Sequence, residues 1–279
     1  MQAGQASGLN LLSRLMIGRE PFIMRSPYRY PETSMIEPSP ALPALVLIHG
    51  WGMNAAVWRP LAALLQHKFR LHLLALPAAT AHASGAYALE QLADAALAEV
   101  GPDAHWLGWS LGAMVAATVA SRPEARARSL IWLAGTPRFV ADDTWAGVDA
   151  ALLASFRDAL SCDPNTTIDR FLGLQCRGSF SMKSDLRFVR QCRAETETPP
   201  LAWLESGLDL LRDLDLRSAL TRLPCPFFRY YGAHDGLVPI PADWPEQAGQ
   251  QRVFSASAHL PFVSETGAVA AALVHDLFT

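Results

Sequence analysis

Gly108-Trp109-Ser110-Leu111-Gly112 is the stretch whose reading decides the fold. It has the Gly-x-Ser-x-Gly form of a nucleophile elbow, in which a serine stands on a sharp strand-to-helix turn. The five-residue pattern is weak by itself, because many matches are ordinary Gly/Ser turns. Its surroundings strengthen it. Ala104-His105-Trp106-Leu107 reads as a short buried strand, and the run from Ser110 to Ala120 reads as a helix stopped by Arg122-Pro123. Side chains at positions 108 and 112 would crowd so tight a turn, which is a physical reason for glycine at both. The turn lifts the Ser110 hydroxyl clear of the backbone. It also aims the free N–H groups of a helix start at whatever lies beside it.

Working outward, Leu45-Val46-Leu47-Ile48 is a buried-strand run that ends in His49-Gly50-Trp51-Gly52. The two glycines let the backbone turn with an N–H facing a neighbouring site. The spacing of Val57, Leu61, Leu64 and Leu65 predicts a helix over 54–66. A strand over 69–77, a helix over 89–100 and a strand over 128–134 follow. Strands alternating with helices imply an α/β fold, a mostly parallel central sheet with helices on both faces. Such sheets place their sites at the carboxyl ends of the strands.

The rhythm breaks over 138–222, where Leu152, Phe156 and Leu160, then Ile168, Phe171 and Leu172, then Leu186, Val189 and Arg190, then Leu204 to Leu211 mark helices. This segment reads as an inserted helical cap. Strand character returns over 225–232 and 251–254, and 267–278 closes the chain as a helix. The expected organisation is a core of 41–137 with 223–279, the cap 138–222, and an N-terminal extension 1–40. That extension is rich in Pro, Ser, Arg and Tyr and is expected to be loosely ordered, with Met35 as a later candidate start.

The chain has 279 residues, enough for one large core or a core with an inserted subdomain. A net charge of −3 is too near neutral for a nucleic-acid binder. The apolar runs are too short for a membrane span. Cys162, Cys176, Cys192 and Cys225 lack Cys-x-x-Cys spacing and have no accompanying His cluster, so neither a zinc site nor any other metal or cofactor is expected. Residues 1–40 hold no long apolar segment ending at a small-residue cleavage site, so a reducing, cytoplasmic setting is expected, for a monomer.

A serine hydroxyl needs a base within hydrogen-bond reach and a third group to orient that base. Asp235, in Gly232-Ala233-His234-Asp235-Gly236, sits on a turn after a strand. His259, in Ser257-Ala258-His259-Leu260-Pro261, sits on a loop after the last strand. A lone loop Asp is usually a turn former, and the chain has eight His residues, so either alone would mean little. Ser110, Asp235 and His259 in that order, each at a strand end, are harder to obtain by accident. Asp142 or Asp143 could replace Asp235, and His234 ranks below His259. An acyl-transfer site also needs donors for a developing oxyanion. The N–H of Leu111, after the serine, and that of Trp51, in the turn after the first strong strand, are the candidates. A core aromatic is the bland reading of Trp51.

These residues resemble the α/β-hydrolase superfamily over about 42–279. Four stretches narrow the resemblance to the pimeloyl-carrier-protein methyl ester esterases of biotin synthesis. They are His49-Gly50-Trp51-Gly52-Met53-Asn54, Trp106-Leu107-Gly108-Trp109-Ser110-Leu111-Gly112, Asp169-Arg170-Phe171-Leu172-Gly173-Leu174-Gln175 and Tyr231 to Pro239. The resemblance implies a serine carboxylesterase acting on an acyl-carrier-protein methyl ester, with Trp51, Ser110, Leu111, Phe171 and Gln175 lining the ester pocket. One departure stands out: Ala78 to Ser84 replaces the Gly-x-Gly-x-Ser turn usual in relatives. A short-chain carboxylesterase, a carbon–carbon bond hydrolase and a non-catalytic receptor on the same scaffold are the competing readings. The intact serine, acid, histidine and elbow glycines argue against the receptor.

The cap adds an independent feature. Residues 170–193 carry six basic side chains against one acid, Asp185. Lys183, Arg187 and Arg190 fall on one helical face, and like charges so placed repel. With Arg170 they form a candidate docking face for an acidic acyl carrier protein. The bland reading is a solvated face with Glu195 and Glu197 as counter-ions.

Overall fold

Ala44–Ile48, Ser129–Leu133 and His105–Trp109 are three runs of five residues buried from end to end, and they lie together in the middle of one sheet. The computed structural model describes residues 42–76, 88–241 and 250–279. Expectations for the N-terminal extension, including Met35, and for the Ala78 to Ser84 turn fall outside those residues. Within them the strands are β1 (Ala44–Ile48), β2 (Arg70–Leu74), β3 (His105–Trp109), β4 (Ser129–Leu133), β5 (Phe227–Gly232) and β6 (Gln250–Phe254). They form one sheet of order β2-β1-β3-β4-β5-β6, parallel throughout. Continuous apolar runs suit strands covered on both faces, whereas the edge strands β2 and β6 keep exposed residues.

Helices follow from the local signals. The expected helix over 54–66 is split. Asn54 caps a 3-10 turn, Ala55–Trp58, through a bond from Ala56 N, and α1 (Arg59–Leu65) starts only where Pro60 fits a first helical turn. Then come α2 (Leu89–Val100) and α3 (Leu111–Ala120), which pack against each other. Every residue of α3 is buried, so it is a core helix without a polar face.

Between β4 and β5 the chain forms α4 (Ala150–Cys162), α5 (Pro164–Cys176), α6 (Met182–Ala194), α7 (Leu201–Asp213) and α8 (Arg217–Leu220). Asp149 caps α4 and Asp163 caps α5. The contacts α4–α5, α5–α6 and α4–α7 pack these helices on one another, and α6 also meets the Ala55–Trp58 turn. The one-turn helices α8 and α9 (Pro261–Ser264) lack a periodic apolar signal and were not expected. The last helix, α10 (Thr266–Phe278), packs on α1. Among the described residues no helix is long and apolar enough to cross a membrane.

The sheet order reverses at β1. From its carboxyl end the chain goes outward to β2, while β3 lies on its other side. Such a switch point opens a crevice outside the strand ends. Gly108 of β3 stands opposite Ile48 of β1, so His49-Gly50-Trp51 and Ser110 leave the sheet side by side.

Candidate active site

Ser110 occupies the bend between β3 and α3 with φ 56° and ψ −120°. A non-glycine residue there costs roughly 1–3 kcal/mol, and it persists only where its surroundings hold it. The two elbow glycines show what holds it. A Cβ on Gly108 would lie 2.1 Å from the Gly112 carbonyl oxygen, and one on Gly112 would lie 2.3 Å from that of Ile48. The first turn of α3 is thus seated directly on β3 and on the end of β1. A Cβ on Gly50 would lie 3.2 Å from Ser110 Cβ, which measures how closely the His49–Gly52 turn approaches the serine.

That turn is fixed by His49. Its ring is buried, accepts the Leu76 N–H at Nε2 (3.0 Å), and therefore donates from Nδ1 to the Gly50 carbonyl (2.8 Å). Burial pushes its pKa down to about 4, opposed only in part by the Gly50 bond. Two residues on, Trp51 has a fully buried side chain, so the bland reading holds for its ring. Its indole donates to the Leu204 carbonyl in α7 (2.9 Å) and meets Phe171 of α5 edge-on with centroids 5.1 Å apart. Such a pair is worth about 0.5–1.5 kcal/mol beyond burial. Anchoring the ring leaves the backbone N–H free. Among the described residues neither the Trp51 nor the Leu111 N–H has an acceptor.

On the far side of β3 and β4, the turn after β5 carries Asp235. Its Oδ1 accepts the N–H groups of Leu237 (2.8 Å) and Val238 (3.0 Å), which leaves Oδ2 for His259 Nδ1 at 2.7 Å. Both side chains are almost wholly buried. A carboxylate at Nδ1 fixes the proton there and leaves the lone pair on Nε2. That Nε2 is buried and has no partner among the described residues. His259 is tied to the elbow through its backbone: its carbonyl accepts the indole N–H of Trp109, the residue before Ser110 (2.9 Å). Its N–H donates to the Gln175 carbonyl (3.1 Å).

Asp142, Asp143 and His234 have other surroundings. Asp142 accepts from the Thr144 N–H and hydroxyl, and these bonds with the Arg217 pair bring its pKa down to about 2; Arg138 pairs with it as well. Asp143 is exposed. His234 is exposed too, with its ring tilted against Phe180 at 5.2 Å.

Phe171 and Gln175 sit one turn apart on the buried face of α5. The Gln175 amide is wholly buried, and neither its oxygen nor its nitrogen has a partner among the described residues. A buried amide left so costs free energy unless a ligand satisfies it. The basic face is only partly as expected. Arg170, Lys183 and Arg187 are exposed, but Arg190 makes a two-pronged pair with Asp169 of α5 (2.6 Å each). Its charge is already met. Glu195 pairs with Arg59 rather than with this face. No sequence signal pointed to His49 as an anchor or to Asp169 as a counter-ion, because both contacts join separate elements.

Comparison with known proteins agrees with this geometry. Residues 45–272 match the profile of the Alpha/beta hydrolase family. The chain is 42% identical over 231 residues to the pimeloyl-(acyl-carrier protein) methyl ester esterase of Klebsiella pneumoniae subsp. pneumoniae, covering 80% of this chain and 89% of that protein. It is equally similar, at 42%, to the esterase of the same name from Vibrio campbellii, covering 80% and 90%. Among solved structures it resembles an esterase from Exiguobacterium antarcticum, with TM-score 0.72, 18% identity and coverage of 86% and 93%. An enol-lactonase from Burkholderia xenovorans LB400 is similar, with TM-score 0.71, 18% identity and coverage of 85% and 92%. At such identities the solved structures speak for the fold alone.

Proposed function

Because the chain belongs to the α/β hydrolase family and, within it, to the pimeloyl-(acyl-carrier protein) methyl ester esterases, we propose that it hydrolyses the methyl ester of a pimeloyl chain held on acyl carrier protein. The products are the free carboxylate, still on its carrier, and methanol. This is the step that the family supplies to biotin synthesis.

The observation that carries the mechanism is the His259 ring, oriented by Asp235 and bearing a buried, unpartnered Nε2, in a residue whose carbonyl holds the indole of Trp109, the neighbour of the strained Ser110. In this reading Nε2 takes the Ser110 proton as the hydroxyl oxygen attacks the ester carbonyl. Asp235 stabilises the imidazolium that forms. Negative charge grows on the carbonyl oxygen, where the free N–H groups of Trp51 and Leu111 receive it. Losing one such donor costs about 10²–10³ in kcat in other hydrolases. The imidazolium then protonates the departing methoxide, which leaves as methanol. Water, activated by the same Nε2, cleaves the acyl-enzyme and restores the serine.

The helical segment between β4 and β5 acts as the cap, with Phe171 and the unsatisfied amide of Gln175 facing the substrate. Arg170, Lys183 and Arg187 form the docking face for the acidic carrier, with Arg190 contributing less because Asp169 holds it. The test is methanol release from pimeloyl-carrier methyl ester beside free dimethyl pimelate, at low and high salt. Preference for the carrier-linked ester that fades with salt supports the whole reading. Equal rates indifferent to salt would leave a general carboxylesterase.

A further inference from the structure

Three serine hydroxyls converge on one buried carboxylate away from Ser110. Asp185, in the first turn of α6, is 4% exposed. Its Oδ2 accepts Ser179 Oγ at 2.6 Å and Ser264 Oγ at 2.8 Å, and Ser181 Oγ lies 2.9 Å from both of its oxygens. Ser179 Oγ in turn accepts the Ser181 N–H at 3.1 Å. Among the described residues no cation pairs with Asp185. A buried carboxylate without a cation is held only where enough donors reach it, and such charge-assisted bonds are stronger than neutral ones.

The donors come from two places. Ser179 and Ser181 belong to the turn between α5 and α6. Ser264 ends α9, five residues beyond His259. Asp185 thus fastens the helical segment to the loop that carries the histidine. The same seam holds two backbone bonds, His259 N to Gln175 O (3.1 Å) and Phe180 N to Ala256 O (2.9 Å). Glu265 ties the loop internally by accepting Ala256 N (3.0 Å) and Ser257 Oγ (2.6 Å).

His259 lies in a connecting loop, outside any helix or strand. The Asp235 bond orients its ring but does not fix the loop backbone. A general base must be held to within about 0.5 Å of its productive place by groups that are themselves locked. We propose that Asp185, acting through Ser264, is a positioning residue for His259. It sets where the base stands without touching substrate or the reacting atoms. This rests on the proposed roles of Ser110, Asp235 and His259.

The test uses the full chain and a soluble p-nitrophenyl ester, with kcat and KM measured on Ser264→Ala, Ser264→Thr and Asp185→Asn beside melting temperatures. Ser264→Ala removes one hydroxyl and leaves Asp185 two serine donors, so the protein should still fold. Displacing a reacting group by about 1 Å can cost as much as 10²-fold, and the loss of one of several tethers should lower kcat about tenfold with KM little changed. Asp185→Asn, which replaces one acceptor oxygen with a donor, should lower kcat further. Ser264→Thr keeps the hydroxyl and should restore most of the rate. A wild-type kcat in folded Ser264→Ala would overturn the positioning role. So would a Thr variant as slow as the Ala variant. A wild-type enzyme without esterase activity would overturn the reading of the site itself, and this inference with it.

Discussion

Lowering the pH should unfasten the turn that carries Trp51, and His49 gives the size of the effect. Its Nε2 must stay unprotonated to accept the Leu76 N–H, and its burial holds the pKa near 4 against 6.5 in the unfolded chain. Between those values the unfolded chain binds a proton that the folded chain refuses. Stability from this group is therefore complete above about pH 6.5, falls as the pH drops, and is gone near pH 4. A shift from 6.5 to about 4 corresponds to about 3 kcal/mol at 1.36 kcal/mol per unit. His105, also buried and held at about 4, slopes the same way. The two are separable because His105 stands opposite Leu45 in the sheet register, four residues from His49 along β1, where effects add.

The assay is urea unfolding of the wild type and His49→Asn at intervals from pH 7 to pH 4. The wild type should be the more stable at pH 7, and its advantage should shrink by about 3 kcal/mol by pH 4. His105 and every other group cancel in the difference. A wild-type advantage that stays constant across that range would refute the reasoning, since His49 would then titrate alike in both states.

Ser110→Ala should abolish ester hydrolysis while the melting temperature stays within a few degrees, as checked by kcat and calorimetry. Asp235→Asn should fold but lower kcat by orders of magnitude, about 10⁴ in a comparable serine hydrolase, because the amide favours the wrong tautomer of His259. Gly112→Ala places a methyl 2.3 Å from the Ile48 carbonyl oxygen, so β1 and α3 must part. It should cost about 1–3 kcal/mol in unfolding free energy, with a loss of kcat from the displaced Leu111 and Trp51 donors. Lys183→Glu with Arg187→Glu should slow the carrier-linked ester at low salt and leave dimethyl pimelate unaffected, while Arg190→Glu should do less on the carrier substrate.

The sheet was legible because it is written in local runs. Leu45 to Ile48 and Leu130 to Leu133 are continuous apolar segments, and a strand buried on both faces has no other way to read. Gly108 and Gly112 were legible for a steric reason that the contacts on each bear out. The segment between β4 and β5 could be recognised as helical, but its boundaries could not be set. Asp149 and Asp163 cap helices that the apolar spacing alone leaves without a start.

What stayed hidden depends on contacts between distant parts of the chain. Arg190 reads as one of three like charges on a helical face. Asp169, on the preceding helix, neutralises it, and nothing in the spacing of α6 announces that. Trp51 shows how both readings of one residue can hold. Its flanking glycines marked a backbone turn, and its ring is nonetheless a core aromatic fixed by Leu204, 153 residues away. The two facts belong together. In the proposed mechanism the Trp51 N–H is a donor aimed at a developing charge, which must not move when that charge appears, and a ring buried against α5 and α7 would keep it still. The same logic makes Asp185 intelligible. In sequence it is only the lone acid among six basic residues of 170–193, yet its side chain turns inward to three serines, one of them 79 residues further on. Burial decides the role of an acid here, and burial is a property of the assembled fold.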